Sequence, residues 1–315
     1  MDFPNLEMGI IFITQIQVGI LGNTTLLFLY NISLPKRHKL RPTDQILSHL
    51  VLANFLVIFS KGIPQTVAAL GWTYFLDDFG CKLVFYFHRV GRGVSLSTTC
   101  LLSGFQAIKL CPNFSRWLHL RIRSSKSICF CCFLSWIFNF LVNAFIPTKI
   151  SGPLSGKNIS LEKRNYGYCS VTMDQKCTYS IYALLYFSID FIYFGLMVWA
   201  SSSMMFVLHR YKQRVQQIHT NSLSPRPSQE VRATHTILFL MSSFLFCYLL
   251  SSILTLCVSL IGNPSHWLLD TSVLTAACFP TVSPFVLIIR DRRISQFCFA
   301  CWARKPIFFS LLKLL

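Results

Sequence analysis

The run Cys81–Pro112, CKLVFYFHRVGRGVSLSTTCLLSGFQAIKLCP, places Lys82, His88, Arg89 and Arg92 in the first half of a segment long and apolar enough to cross a bilayer. Charge at membrane depth is expensive, so these side chains must face a protein interior or a wet cavity, and they are functional-site candidates by default. On a helix His88 and Arg92, four apart, lie on one face, and Arg89 nearly shares it with Arg92. What cations can do there is hold anions. The intramembrane acids that could answer are Asp190 and Asp270. A buried arginine without a partner is strongly destabilising, so His88, Arg89, Arg92, Asp190 and Asp270 read either as an ionic network or as groups that meet a ligand. Lys61, near the outer end of its own apolar block, is expected to snorkel to the interface. Phe85-Tyr86-Phe87 and Tyr186-Phe187 read as packing. The sequence carries no nucleotide fingerprint, catalytic triad or intramembrane metal cluster. The expectation is a non-enzyme without a cofactor.

The elements that must position these residues are membrane helices. The chain has 315 residues, 53% hydrophobic and 13% charged. Its apolar residues come in long blocks rather than at amphipathic spacing. The blocks predict spans at about 9–30, 45–70, 81–110, 127–146, 179–208, 234–261 and 267–289, in one all-α, seven-transmembrane domain covering 1–315. Gly62 and Pro64 interrupt the second. Below the charged half of the third, Gly93, Ser95, Ser97, Thr98 and Thr99 are small enough to let neighbouring helices approach closely. The start of the chain, Met1 to Gly9, has no basic region and runs straight into the first span, which is then expected to do the targeting.

The formal net charge of +18 is divided among short loops. Lys36–Arg41, Arg116–Lys126, Arg210–Arg232 and Arg290–Lys313 all fall on one side of the predicted bundle. Positive residues mark the cytoplasmic side, so the N-terminus is expected outside and the C-terminus inside. Topology and anionic lipid account for this basicity, and nucleic acid is not expected as a partner. Cys81 and Cys169 then both face the oxidising side and a disulfide between them is permitted, although Cys177 lies near the same surface and leaves another pairing open. Asn158-Ile-Ser160 is the one glycosylation acceptor with both the pattern and an outer location.

His88-Arg-Val-Gly-Arg-Gly-Val-Ser-Leu-Ser-Thr-Thr-Cys-Leu-Leu-Ser103 with Phe105-Gln-Ala-Ile108 strongly resembles the vomeronasal type-1 receptor family. So do His49-Leu-Val-Leu-Ala-Asn54, Lys61-Gly-Ile-Pro-Gln-Thr66, Gly167-Tyr-Cys-Ser170, Arg232-Ala-Thr-His235 and Cys278-Phe-Pro-Thr-Val-Ser-Pro-Phe-Val286. The resemblance covers nearly the whole chain. It implies a G-protein-coupled pheromone receptor, multi-pass in the plasma membrane. Such a receptor takes a small chemosensory ligand in the outer half of the bundle and activates a heterotrimeric G protein of the inhibitory type. Architecture is shared with rhodopsin-like receptors, and Asn23, Trp136 and the Cys81/Cys169 pair match that class. Gln106-Ala-Ile108, Asn54 and Ser283-Pro284-Phe285 depart from it, at the positions of its acidic-Arg motif, its sodium-binding Asp and its Asn-Pro motif. A bitter-taste receptor is the neighbouring alternative, but that family usually lacks the outer cysteine pair. A transporter is the alternative from another class, and the internal symmetry that often marks one is not evident in this sequence.

Overall fold

The computed structural model describes residues 6–33, 41–72, 75–110, 125–152, 163–165, 168–172, 176–218, 229–260, 265–290 and 294–295. Among them the chain forms seven long helical rods. The first, α1, is Leu6–Phe28 and ends in a π turn, Leu29–Ser33. The second, α2, begins as Pro42–Val57, passes through a π turn at Ile58–Gly62 and continues as Ile63–Ala69. Then follow α3 (Asp78–Leu110), α4 (Ser125–Val142), α5 (Lys176–Ile218), α6 (Gln229–Leu260) and α7 (His266–Arg290).

Six of these rods contain stretches long and apolar enough to cross a membrane: Glu7–Ile32, Pro42–Ala69, Lys126–Lys149, Ser188–Arg210, Ile237–Leu254 and Trp267–Ile289. The exception is α3, whose outer half is too charged. Its place explains how it tolerates that charge: α3 packs against α2, α4, α5 and α6. Conversely, Leu21, Leu141, Phe191, Phe246 and Ile289 point outward from the other rods. An apolar girdle of this extent belongs in lipid, and the protein is a helical membrane protein.

The irregularities follow from local chemistry. Pro42 opens α2, where a missing N–H costs nothing, and Asp44 accepts a hydrogen bond from the Arg41 backbone N–H at 3.0 Å. Pro64 has no N–H to give the carbonyl one turn back and would collide with it in a regular helix. The π turn at Ile58–Gly62 adds a residue just before that proline. The expected interruption of the second span therefore takes the form of a wide turn rather than a break. In α7, Pro284 likewise leaves the Pro280 carbonyl unpaired, and the buried Asn23 side chain of α1 donates to it through Nδ2 at 2.9 Å. Both α5 and α6 outrun the apolar blocks that predicted them. Hydropathy stops near Leu208, but Arg210, Lys212, Gln213 and Arg214 are good helix formers and the backbone continues to Ile218.

Close packing around α3 rests on its small residues. Ser95, Thr98, Thr99 and Ser103 are buried. Thr98 Oγ1 and Thr99 Oγ1 return their protons to the carbonyls of Val94 and Ser95, at 2.6 and 2.7 Å. Gly93 is required by contact: a Cβ there would lie 1.9 Å from Asn139 Oδ1 of α4. The inner core below this level is Leu26, Leu50, Leu96, Leu102, Met204 and Leu240 with their neighbours.

Between α4 and α5 the described residues form a small three-stranded lid. A 3₁₀ turn (Ile146–Lys149) leads into β1 (Ile150–Ser151), followed by β2 (Lys163–Asn165) and β3 (Ser170–Thr172). The strand order is β1-β3-β2, antiparallel, with Ile150 and Arg164 both opposite Val171. Ile146, Ile150, Tyr168, Cys81 and Cys169 form a separate buried cluster beneath it.

Candidate functional site

Arg92 stands at the meeting of two cavities of ≈ 30 Å³ each. One opens toward α6 and α7, past Ser95, Phe244, Ser251, Thr275 and Phe279. The other opens toward α4 and α5, past Arg89, Asn139, Asn143, Asp190 and Tyr193. Tyr248 of α6 borders both. The Arg92 guanidinium carbon lies 4.5 Å from the centre of the Tyr248 ring, a cation–π contact. The Tyr248 hydroxyl donates a hydrogen bond to Asp190 Oδ2 of α5. Phe194 and Phe244 pack on the same ring at centroid distances of 5.0 and 5.7 Å. So α3, α5 and α6 are joined through one aromatic side chain, cation on its face and carboxylate at its hydroxyl. Among the described residues no ion pair joins Arg92 to Asp190 directly.

The other predicted site residues are distributed around this junction. Arg89 lines the α4/α5 cavity on its open side. His88 is buried and lines a third crevice, of ≈ 20 Å³, bounded by α1, α2 and α7. Lys61 lines the same crevice and is half-buried. Val57 separates this crevice from the central cavity. Asp270 lies near the start of α7 and accepts a hydrogen bond from Gln65 Nε2 at 3.4 Å. It borders none of the three cavities, and no ion pair joins it to Arg92 among the described residues.

Sequence reasoning missed Tyr248, because a tyrosine among phenylalanines and leucines carries no signal of charge. It also missed what Asn54 does. Asn54 Nδ2 donates to Ser283 Oγ of α7 at 3.1 Å, and its Oδ1 accepts from Ser95 Oγ of α3 at 2.8 Å. A neutral trio therefore holds α2, α3 and α7 where rhodopsin-like receptors are expected to carry a sodium-binding carboxylate. The signal was present in the sequence as two coordinated departures, Asn54 and Ser283, which read singly as losses.

The lid is tied to α3 at two points. Cys81 and Cys169 form a disulfide, with Cα atoms 5.7 Å apart. One helical turn earlier, Asp78 Oδ1 accepts from the Gly152 backbone N–H at 3.0 Å and Oδ2 pairs with Lys82. The Lys82 ammonium, then the Gly152 N–H, hold the Asp78 carboxyl below its ordinary range. Tyr168, next to the disulfide, is flanked by Phe75 and Phe85 at centroid distances of 6.3 and 6.4 Å. The predicted glycosylation acceptor Asn158 belongs to the same loop and lies outside the described residues.

Small cavities inside a helical membrane bundle, one charged junction reaching three helices and a tethered lid suit a receptor. Comparison with known proteins agrees. The model of the vomeronasal organ pheromone receptor family matches residues 6–300. Vomeronasal type-1 receptor 1 of Homo sapiens is 56% identical over 311 residues, which is 99% of this chain and 88% of that protein. Vomeronasal type-1 receptor 3 of Homo sapiens is 47% identical over 314 residues, 99% of this chain and 100% of the relative. A distant relative, olfactory receptor class A-like protein 1 of Danio rerio, is 28% identical over 295 residues, 93% and 92% of the two chains. With a family match over nearly its full length and a charged junction built from the family-like run of α3, the chain belongs to the vomeronasal organ pheromone receptor family.

Proposed function

We propose, beyond the pheromone-receptor family and the ligand and G-protein coupling it implies in general, that all seven rods span the plasma membrane, N-terminus outside, and that the polar end of the ligand enters the two cavities that meet at Arg92. The chemistry of their walls favours a small, mostly apolar molecule with one negative group. Phe244, Phe279, Leu96 and Phe138 give the apolar surface, and Arg92 and Arg89 give the positive one. The observation that carries this is the Arg92–Tyr248–Asp190 junction. An anionic group arriving at Arg92 competes with the ring and carboxylate that now hold it, so binding changes the fastening of α3 to α5 and α6. Those two helices continue beyond the predicted cytoplasmic boundary, to Ile218 and from Gln229, where a heterotrimeric G protein of the inhibitory type is the proposed partner.

The test is nucleotide exchange on a purified inhibitory-type G protein by the receptor in nanodiscs, screened against small volatile and steroidal acids and their neutral esters. Acids are expected to activate and esters to be at least tenfold weaker, one charge-assisted contact amounting to about 1.5–3 kcal/mol. Activation by esters as strong as by acids removes the assigned role of Arg92.

A further inference from the structure

Free cysteine is among the most buried of residue types. Of the free cysteines whose side chains are described, Cys132 is buried and Cys100, Cys247, Cys257 and Cys278 are partly covered. Only Cys129 and Cys131 are exposed. Both lie near the start of α4, within about two helical turns of Lys126, where its apolar stretch begins. With about 3.6 residues per turn they fall at the two edges of one outward arc, and Phe130 stands between them, 62% exposed. Cys132 faces the other way, into the bundle, as Ile128 and Asn139 do. The outward arc continues from Cys129 through Phe133 and Ile137, and from Cys131 through Leu134 and Leu141, all exposed. Because α4 packs mainly on α2 and α3, this face is open to lipid. Side chains on a helix lean toward its N-terminus, so both thiols lean toward Lys126 and the end of the span. In sequence Arg121, Arg123 and Lys126 precede them. Two uncovered nucleophiles thus stand at a membrane boundary, behind basic residues and at the head of a bare apolar track, which is a setting that takes a fatty chain.

We propose that Cys129 and Cys131 are sites of S-acylation by long-chain fatty acyl groups. The inference rests on the proposed orientation, which puts the start of α4 at the cytosolic face, where a long-chain acyl-coenzyme A is the donor. The cysteine sulfur attacks the thioester carbonyl of the donor. A new bond from that sulfur to the acyl carbon forms as the bond to the coenzyme A sulfur breaks. Coenzyme A leaves as a free thiol with the proton that the cysteine gave up, and nothing is oxidised or reduced. The basic residues before α4 suit this donor, which is a polyanion. From Cys129 the chain enters the bilayer along Phe133 and Ile137, and from Cys131 along Leu134 and Leu141. Cys132 is not a third site, because its side chain is fully covered in the bundle. Acyl chains at this edge hold the start of α4 at the membrane surface, on a helix that otherwise leans mainly on two neighbours.

The experiment uses the full chain expressed in mammalian cells. Free thiols are blocked and thioesters are cleaved with neutral hydroxylamine. The thiols so released are tagged with a maleimide polymer, whose mass shift counts the acyl chains. Cys298 and Cys301 lie outside the described residues, so each variant is made in a Cys298→Ser/Cys301→Ser background. That background is expected to show two hydroxylamine-dependent steps. Cys129→Ser and Cys131→Ser should each remove one step and their combination both, while Cys132→Ser removes none. Loss of a step in only one of the two single variants upholds that cysteine as a site and overturns the other. The absence of any hydroxylamine-dependent step overturns the proposal, and so does a ladder that is unchanged when both cysteines are replaced. If the combined variant does not fold, the unaltered receptor is labelled with an alkyne fatty acid and the peptide carrying Cys129 to Cys132 is read by mass spectrometry. Acyl mass on Cys129 or Cys131 supports the proposal, and unmodified thiols at both overturn it. The glycan state of the same sample separates this failure from that of the orientation. A glycan at Asn158 without acylation overturns the acyl sites alone, whereas a glycan at Asn113 overturns the orientation and this proposal with it.

Discussion

At the scale of single residues, the charged junction is a three-body arrangement, and its energetics differ from those of an ion pair. Tyr248 gives Arg92 a π-face and gives Asp190 a proton donor. Removing Asp190 strands an arginine, and removing Arg92 strands a carboxylate, each at a cost of about 3–5 kcal/mol by the usual penalty for an uncompensated buried charge. Arg92→Met and Asp190→Asn are therefore each expected to lower surface expression and Tm sharply, while the double variant recovers much of the loss. Tyr248→Phe keeps the ring but removes the hydroxyl, and should cost about 1–3 kcal/mol. In a double-mutant cycle its effect should vanish in the Asp190→Asn background only if the hydroxyl acts solely through the carboxylate. Strictly additive losses for Arg92 and Asp190 would mean that the two charges do not share Tyr248. The sequence made half of this junction legible. His88, Arg89, Arg92, Asp190 and Asp270 announced themselves because charge in an apolar block is conspicuous. Which of them meet was not legible, since that depends on helix rotation. His88 turns to Lys61, and Asp270 to Gln65.

At the scale of elements, the helices are held at fixed relative positions by backbone groups that proline and the π turn leave open. Asn23 is the clearest case. Its Nδ2 bonds the Gly19 carbonyl at 2.7 Å on its own helix and the Pro280 carbonyl at 2.9 Å on α7. The second carbonyl is free because Pro284 has no N–H. Asn23→Ala is expected to lower Tm, by an amount corresponding to about 1–3 kcal/mol for a buried acceptor left unpaired. In a Pro284→Ala background the restored N–H at 284 can pair with Pro280, so Asn23→Ala should cost markedly less there. An equal cost in both backgrounds would show that Asn23 acts on something other than the proline-freed carbonyl. Span positions were readable from apolar blocks, because burial in lipid selects composition over a fixed length. The ends of α5 and α6 were not, since the helix continues wherever backbone propensity allows. Nor was the three-stranded lid, whose strands of two or three residues are too short to show a period.

At the scale of the whole molecule, orientation decides what each end of the bundle can do. The disulfide and the lid lie by the start of α3, while the described basic residues Arg41 and Lys109 lie at the opposite ends of α2 and α3. A structural disulfide belongs to an oxidising compartment, and lysine and arginine concentrate on the cytoplasmic side. The two criteria are independent, one resting on thiol chemistry and the other on insertion, and both favour the proposed orientation with the lid outside. Asn158 falls in sequence between β1 and β2, so the proposed orientation would expose it to the lumen during synthesis. The receptor expressed in mammalian cells is expected to run as a glycosidase-sensitive band, and Asn158→Gln to run at the deglycosylated position with no further shift. Asn31 and Asn113 serve as internal controls, because the sequence reading puts their Asn-X-Ser patterns on the cytoplasmic side. Asn31→Gln and Asn113→Gln should leave the band unchanged. A shift that persists in Asn158→Gln and disappears in either control would place the basic end in the lumen, with the lid facing the cytosol, against the disulfide and the charge distribution alike.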